Sequence, residues 1–226
     1  MTPGYYLVKD KDGSVSGQDS YTKFIWEVVG NDVSAKVKSS VPTSEKKVKD
    51  TNDTEGTKTW WQDSADYDIG DQVSFQLTGT VAQDYNDYKS VYQLVFHDTL
   101  SNGLTLDRDS FKVYKNDSNE VLELNQYEVN ITDDQHFTVT IKDVKVLGDD
   151  VSKVRVEYTA TLNENAVIGS LGNPNTMYME FSNNPNNEQG GDKGQTPEDK
   201  VIVFTYKVVI NKIDLVEFHL QVQPSN

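Results

Sequence analysis

Cysteine is absent from this 226-residue chain. A disulfide framework, zinc–thiolate sites and thiol catalysis are therefore excluded together. Long apolar runs are lacking as well, and none reaches the roughly 20 residues that a membrane-spanning helix needs. Met1 is not followed by the basic-then-apolar pattern of a secretory signal, so an exported parent would be represented by a mature fragment. Basic residues are outnumbered, 21 against 36 acidic ones, for a formal net charge of -15. Such a surface repels phosphate backbones and anionic leaflets, so neither nucleic acid nor membrane is an expected partner. Helical periodicity is weak throughout.

The chain nevertheless has the means to build a core, with 35% hydrophobic and 10% aromatic residues at a mean hydropathy of -0.64. Period-two runs are plentiful: Val73-Ser74-Phe75-Gln76-Leu77, Leu94-Val95-Phe96, Phe137-Thr138-Val139-Thr140-Ile141 and Val154-Arg155-Val156-Glu157-Tyr158. Turn-formers such as Ser101-Asn102-Gly103, Lys115-Asn116-Asp117-Ser118-Asn119 and Gly148-Asp149-Asp150 separate such runs. Many short strands between polar turns predict an all-β, mostly antiparallel two-sheet sandwich. Residues 1–40 read as short strands and a linker, 41–187 as the main sandwich, and 188–226 as a polar linker followed by the run Val201 to Ile210. That last run is expected to open a further, truncated domain.

Alternate residues of a strand share a face. In Ser44-Glu45-Lys46-Lys47-Val48, Lys46 shares the face of Val48. Asp98 shares the face of Leu94 and Phe96, and Asn183 that of Met177, Met179 and Phe181. A lysine, an aspartate and an asparagine are thus all expected to point into the core, where unpaired charge is costly. Burial turns a lysine into a neutral amine and an aspartate into a neutral acid. The acid would polarise the asparagine amide and serve its leaving nitrogen, the amine would attack the amide carbon, and ammonia would depart. A slip of one residue would substitute Lys47 or Asn184.

The segments Pro42-Thr43-Ser44-Glu45-Lys46-Lys47-Val48, Phe96-His97-Asp98-Thr99-Leu100-Ser101-Asn102-Gly103-Leu104, Val156-Glu157-Tyr158-Thr159-Ala160-Thr161-Leu162-Asn163 and Phe181-Ser182-Asn183-Asn184-Pro185-Asn186 follow one another over nearly all of residues 41–187. Together they resemble the isopeptide-forming second-domain type of sortase-assembled backbone pilins from Gram-positive bacteria. The resemblance implies an immunoglobulin-like sandwich of collagen-adhesin A type. It also implies an extracellular, cell-wall-anchored pilus whose subunits are joined to neighbours by sortase. Lys46 would be the amine, Asp98 the catalytic acid and Asn183 the acceptor. The flanks resemble the end of a preceding pilin domain at Gly4-Tyr5-Tyr6-Leu7-Val8-Lys9 and the opening of a following one at Thr205 to Asp214, where Lys212 would be that domain's own crosslinking lysine. The family's tyrosine-proline-lysine motif and its C-terminal sorting signal are not found. Lys36 and Lys38 lie near the expected junction without the motif's context, and Lys38 is the candidate polymerisation lysine.

The function so implied is a structural shaft domain that reacts once with itself and turns over no external substrate. The alternative is an adhesin stalk or head that binds a host glycan or matrix protein through Trp60, Trp61 and Tyr67. Asp10-Lys11-Asp12-Gly13 lacks the later ligands of a calcium loop, and Asp133-Asp134 and Asp149-Asp150 read as turn residues. His97, His136 and His219 have no nucleophile or ligand spacing around them, and His97 should face away from Asp98. No metal or cofactor is expected.

Overall fold

The alternation in the sequence becomes a succession of extended strands. A computed structural model describes residues 2–11, 13–30, 40–52 and 56–207. Its strands are β1 (Gly4–Lys9), β2 (Lys23–Val28), β3 (Ser44–Asn52), β4 (Thr57–Gln62), β5 (Ser64–Asp66), β6 (Gln72–Thr80), β7 (Leu94–Leu100) and β8 (Leu104–Leu106). They continue as β9 (Lys112–Lys115), β10 (Tyr127–Ile131), β11 (His136–Ile141), β12 (Lys153–Leu162), β13 (Asn173–Ser182), β14 (Lys193–Gln195) and β15 (Asp199–Phe204). The described residues hold no α-helix, only 3-10 turns at Tyr85–Asp87 and Val144–Leu147.

One sheet runs β10-β11-β7-β13-β15-β5, with β14 also paired to β13. The other runs β4-β3-β6-β12-β8, with β9 beside β12. Every pairing in the two sheets is antiparallel except that of β15 with β5. Strict inside–outside alternation along β6, β12 and β13 places one face of each sheet against the other. The shared core includes Val48, Phe75 and Leu77 from one sheet and Leu94, Phe96, Met179 and Phe181 from the other. The sheets meet so closely that a Cβ on Gly79 of β6 would lie 2.2 Å from Met179 Sδ and 2.9 Å from the Phe96 ring. The expected immunoglobulin-like, mostly antiparallel sandwich is therefore present.

Segments on both sides of residues 41–187 reach this sandwich. The run at residues 201–204 does not begin a separate unit: β15 pairs with β13 along Asn173–Met177, and Val201 and Val203 are fully buried in the common core. The apolar run read alone resembles a domain-opening strand, but the open edge of β13 is where its backbone groups and side chains are satisfied. At the other end, β1 and β2 form their own antiparallel ribbon. The segment after β1 returns to the sandwich, where Gly17 O accepts from Gln195 N–H at 3.0 Å and Tyr21 N–H donates to Asn183 O at 2.7 Å. Ser20 and Tyr21 are buried by that contact.

Candidate functional site: a buried polar cluster between the sheets

Lys46 enters the core from β3, where it stands opposite Leu77 of β6, and it is completely buried. Its neighbours along the strand, Glu45 and Lys47, face outward, and Lys47 Nζ pairs with Asp63 at 2.6 Å. The Lys46 backbone N–H is anchored on the Asp199 carboxylate at 2.8 Å. Asp98 comes from β7 in the facing sheet, opposite Phe137 of β11 and Met177 of β13. Lys46 Nζ donates to the Asp98 carboxylate, and both side chains are shut off from solvent. His97, one residue earlier, lies on the outer face and stacks on Tyr178 with ring centroids 4.5 Å apart.

Two further polar groups complete the cluster. Tyr158 of β12 is buried, with its ring stacked on Phe75 at 5.3 Å and edge-on to Phe137 at 4.8 Å. Its hydroxyl accepts from Lys46 Nζ at 3.0 Å and donates to Asp98 Oδ1 at 3.1 Å. Asn175 of β13 stands opposite Leu100 of β7 and Val201 of β15 and is completely buried. Asn175 Nδ2 donates to the same Tyr158 hydroxyl at 2.7 Å, while Asn175 Oδ1 has no hydrogen-bond partner. Lys46 and Tyr158 belong to one sheet, Asp98 and Asn175 to the other, so the cluster spans the sandwich.

Burial governs the protonation of this pair. Desolvation lowers the Lys46 pKa, opposed by the adjacent Asp98 charge, and desolvation raises the Asp98 pKa, opposed by Lys46. Both directions favour the form in which the proton sits on Asp98 and the amine is neutral. Desolvation also holds the Tyr158 phenol well above its usual range.

The structure does not bring Asn183 to this cluster. Asn183 does face inward, as its parity requires, but it follows the far end of β13. Eight residues of extended chain separate it from Asn175, about 26 Å. Its burial has another cause, the docked segment around residues 17–21: Asn183 Nδ2 donates to Asp19 O at 3.3 Å. Asn184, the one-residue rival, bonds Asp192 at 2.8 Å and is equally remote in chain position. Asn175 shares the parity of Met177, Met179 and Phe181 and so carried the same signal as Asn183. Its context, Gly172-Asn173-Pro174-Asn175, reads as a turn, and the register that sets Met177 opposite Asp98 is not written in β13 alone.

The remaining candidates do not gather into a second site. Trp60 is 88% exposed, whereas Trp61 lies against Lys49 with Nζ 4.5 Å from its ring, and Tyr67 is buried with its hydroxyl donating to Lys49 O at 2.7 Å. The three aromatics thus share no common surface. Asp10 accepts from Thr22 N–H at 2.7 Å across the end of the β1–β2 ribbon, and Asp133 accepts from the backbone of Gln135 and His136 in the manner of a turn residue. Among the described residues no group of three or more histidine, cysteine or acidic side chains is arranged to hold a metal. Lys36, Lys38, Lys212 and His219 lie outside the described residues.

Comparison with known proteins agrees with this architecture. The trypsin-resistant surface T6 protein of Streptococcus pyogenes is 29% identical over 205 residues, covering 79% of this chain and 35% of that protein. The chain thus spans about a third of the length of that relative. The crystal structure of BcpA, the major pilin subunit of Bacillus cereus, superposes with a TM-score of 0.62 at 21% identity, covering 91% of this chain and 56% of that one. A 35 kDa C-terminal fragment of the major pilin GBS80 of Streptococcus agalactiae gives 0.55 at 21% identity, covering 73% and 56%. These two likenesses establish a shared fold. Residues 69–185, more than half the chain, match the family described as Gram-positive pilin backbone subunit 2, Cna-B-like domain, a B-like label where the sequence resemblance named the A type. The chain belongs to the Gram-positive backbone pilin family.

Proposed function

We propose that this chain is a shaft unit of a covalently assembled surface pilus and that it locks its own sandwich with an isopeptide bond between Lys46 and Asn175. The observation that carries this reading is the meeting of a fully buried amine, acid and amide in a core without cysteine. Asn175 takes the acceptor role in place of Asn183 because it reaches the hydroxyl that also binds Lys46, whereas Asn183 is occupied by Asp19.

The neutral Lys46 amine attacks Cγ of Asn175, forming the C–N bond and a tetrahedral centre. A proton supplied by the Asp98 carboxyl reaches Nδ2, the Cγ–Nδ2 bond breaks, and ammonia leaves. The proton displaced from Nζ returns to Asp98, so the acid is regenerated while amine and amide are consumed. The product cannot turn over. Neighbouring subunits, joined through sortase on the bacterial surface, are the partners of the parent protein.

The intact mass tests this reading. Wild-type protein is expected to be lighter than its sequence by one ammonia, and Asn175→Ala to show its full mass. Asn183→Ala should still lose ammonia. A full-mass wild type, or loss of ammonia in Asn175→Ala, would overturn the assignment.

A further inference from the structure

Resting on the crosslinking reading above, we infer that Tyr158 is a catalytic residue of the reaction, carrying the proton between Asp98 and the nitrogen that leaves Asn175. Among the described residues no hydrogen bond joins Asp98 to Asn175. The Tyr158 hydroxyl stands between them, 3.1 Å from Asp98 Oδ1 and 2.7 Å from Asn175 Nδ2, and it also touches the attacking Lys46 Nζ at 3.0 Å. Among the described residues it is the one group hydrogen-bonded to all three reactants.

A buried hydroxyl carries one hydrogen and two acceptor sites, and it rotates to suit its partners. Before reaction the Tyr158 proton points at Asp98 while its oxygen accepts from Nδ2 and Nζ. Once Nζ has bonded to Cγ, Nδ2 becomes an amine with a free lone pair. The hydroxyl turns its proton to Nδ2 and takes the Asp98 carboxyl proton onto its own oxygen. The Asp98 carboxylate then receives the proton that Nζ gives up. Tyrosine and aspartic acid end as they began, and ammonia carries the transferred hydrogen away. The phenol never has to exist as a free anion, which its burial would oppose, because one proton arrives as the other departs. The ring packs against Phe75, Phe111 and Phe137 in the apolar core, while the hydrogen bonds of the hydroxyl fix where it points. No pattern in the sequence distinguishes this tyrosine from a core aromatic, since its parity in Val154-Arg155-Val156-Glu157-Tyr158 explains its burial without chemistry.

Tyr158→Phe removes the hydroxyl and keeps the ring. Newly synthesised protein, followed by intact mass after a pulse of expression, should lose ammonia about 100-fold more slowly or not at all, while circular dichroism reports an intact β fold. Phe137→Leu loosens the same ring but keeps the hydroxyl, and it should crosslink within a few-fold of the wild-type rate. That contrast separates chemistry from packing. Tyr158→Phe reacting at the wild-type rate would overturn the inference, as would Phe137→Leu slowing the reaction equally. A wild type that never loses ammonia would instead overturn the crosslink itself.

Discussion

Lys46 and Asp98 are each unfavourable core residues alone, and the cluster works because each solves the other's problem. An ion pair and a neutral amine–acid pair differ only in where one proton sits. Both forms carry the same number of protons, so solution pH does not alter the ratio between them as long as the pair as a whole neither gains nor loses one. The lowered Lys46 pKa and the raised Asp98 pKa tilt that ratio toward the reactive form without coupling it to solvent. The rate of ammonia loss should therefore change by less than about threefold between about pH 6 and 8. Mass spectra taken during maturation at several pH values check this. A steep rise with pH would mean that Lys46 deprotonates to water rather than to Asp98.

The strands contribute by fixing which groups meet. Antiparallel pairing of β7 with β13 puts Met177 opposite Asp98 and leaves Asn175 one inward position further along, while β3 brings Lys46 across from the other sheet. Close approach of the sheets is part of this arrangement, and Gly79 permits it because there is no side chain for Met179 and Phe96 to avoid. Gly79→Val should force the sheets apart and cost about 1–3 kcal/mol. Urea unfolding in the Asp98→Ala background, where no crosslink restrains the chain, measures it. A neutral result would mean that the sheets have slack there.

For the molecule as a unit, the Lys46–Asn175 bond would close a loop of well over 100 residues and tie the two sheets to each other. By analogy with the disulfide loop model it would restrict the unfolded chain by about 4–5 kcal/mol. For a domain of this size that corresponds to a melting temperature about 10–20 °C higher. Asp98→Ala should lose that increment, keep the β fold and be cut faster by trypsin. Calorimetry and timed digestion of both proteins are the checks. Under tension the consequence is larger than the equilibrium figure, since a covalent tie between β3 and β13 stops the segment it encloses from extending.

Alternation alone was enough to announce an all-β sandwich and to turn Lys46 and Asp98 inward, because side-chain direction in a strand depends only on position along it. The same rule turned both Asn175 and Asn183 inward and had no means of choosing between them. Nor did it assign residues 201–204 to this sandwich, or single out Tyr158 from other core aromatics. Those choices rest on register and on which strand lies beside which. Backbone pairing partners far apart in the chain set both, and the alternation within any one strand is silent about its neighbours. Three-dimensional pairing placed Asn175 beside the Tyr158 hydroxyl, and the docked segment around Gly17 to Tyr21 gave Asn183 a different reason to be buried.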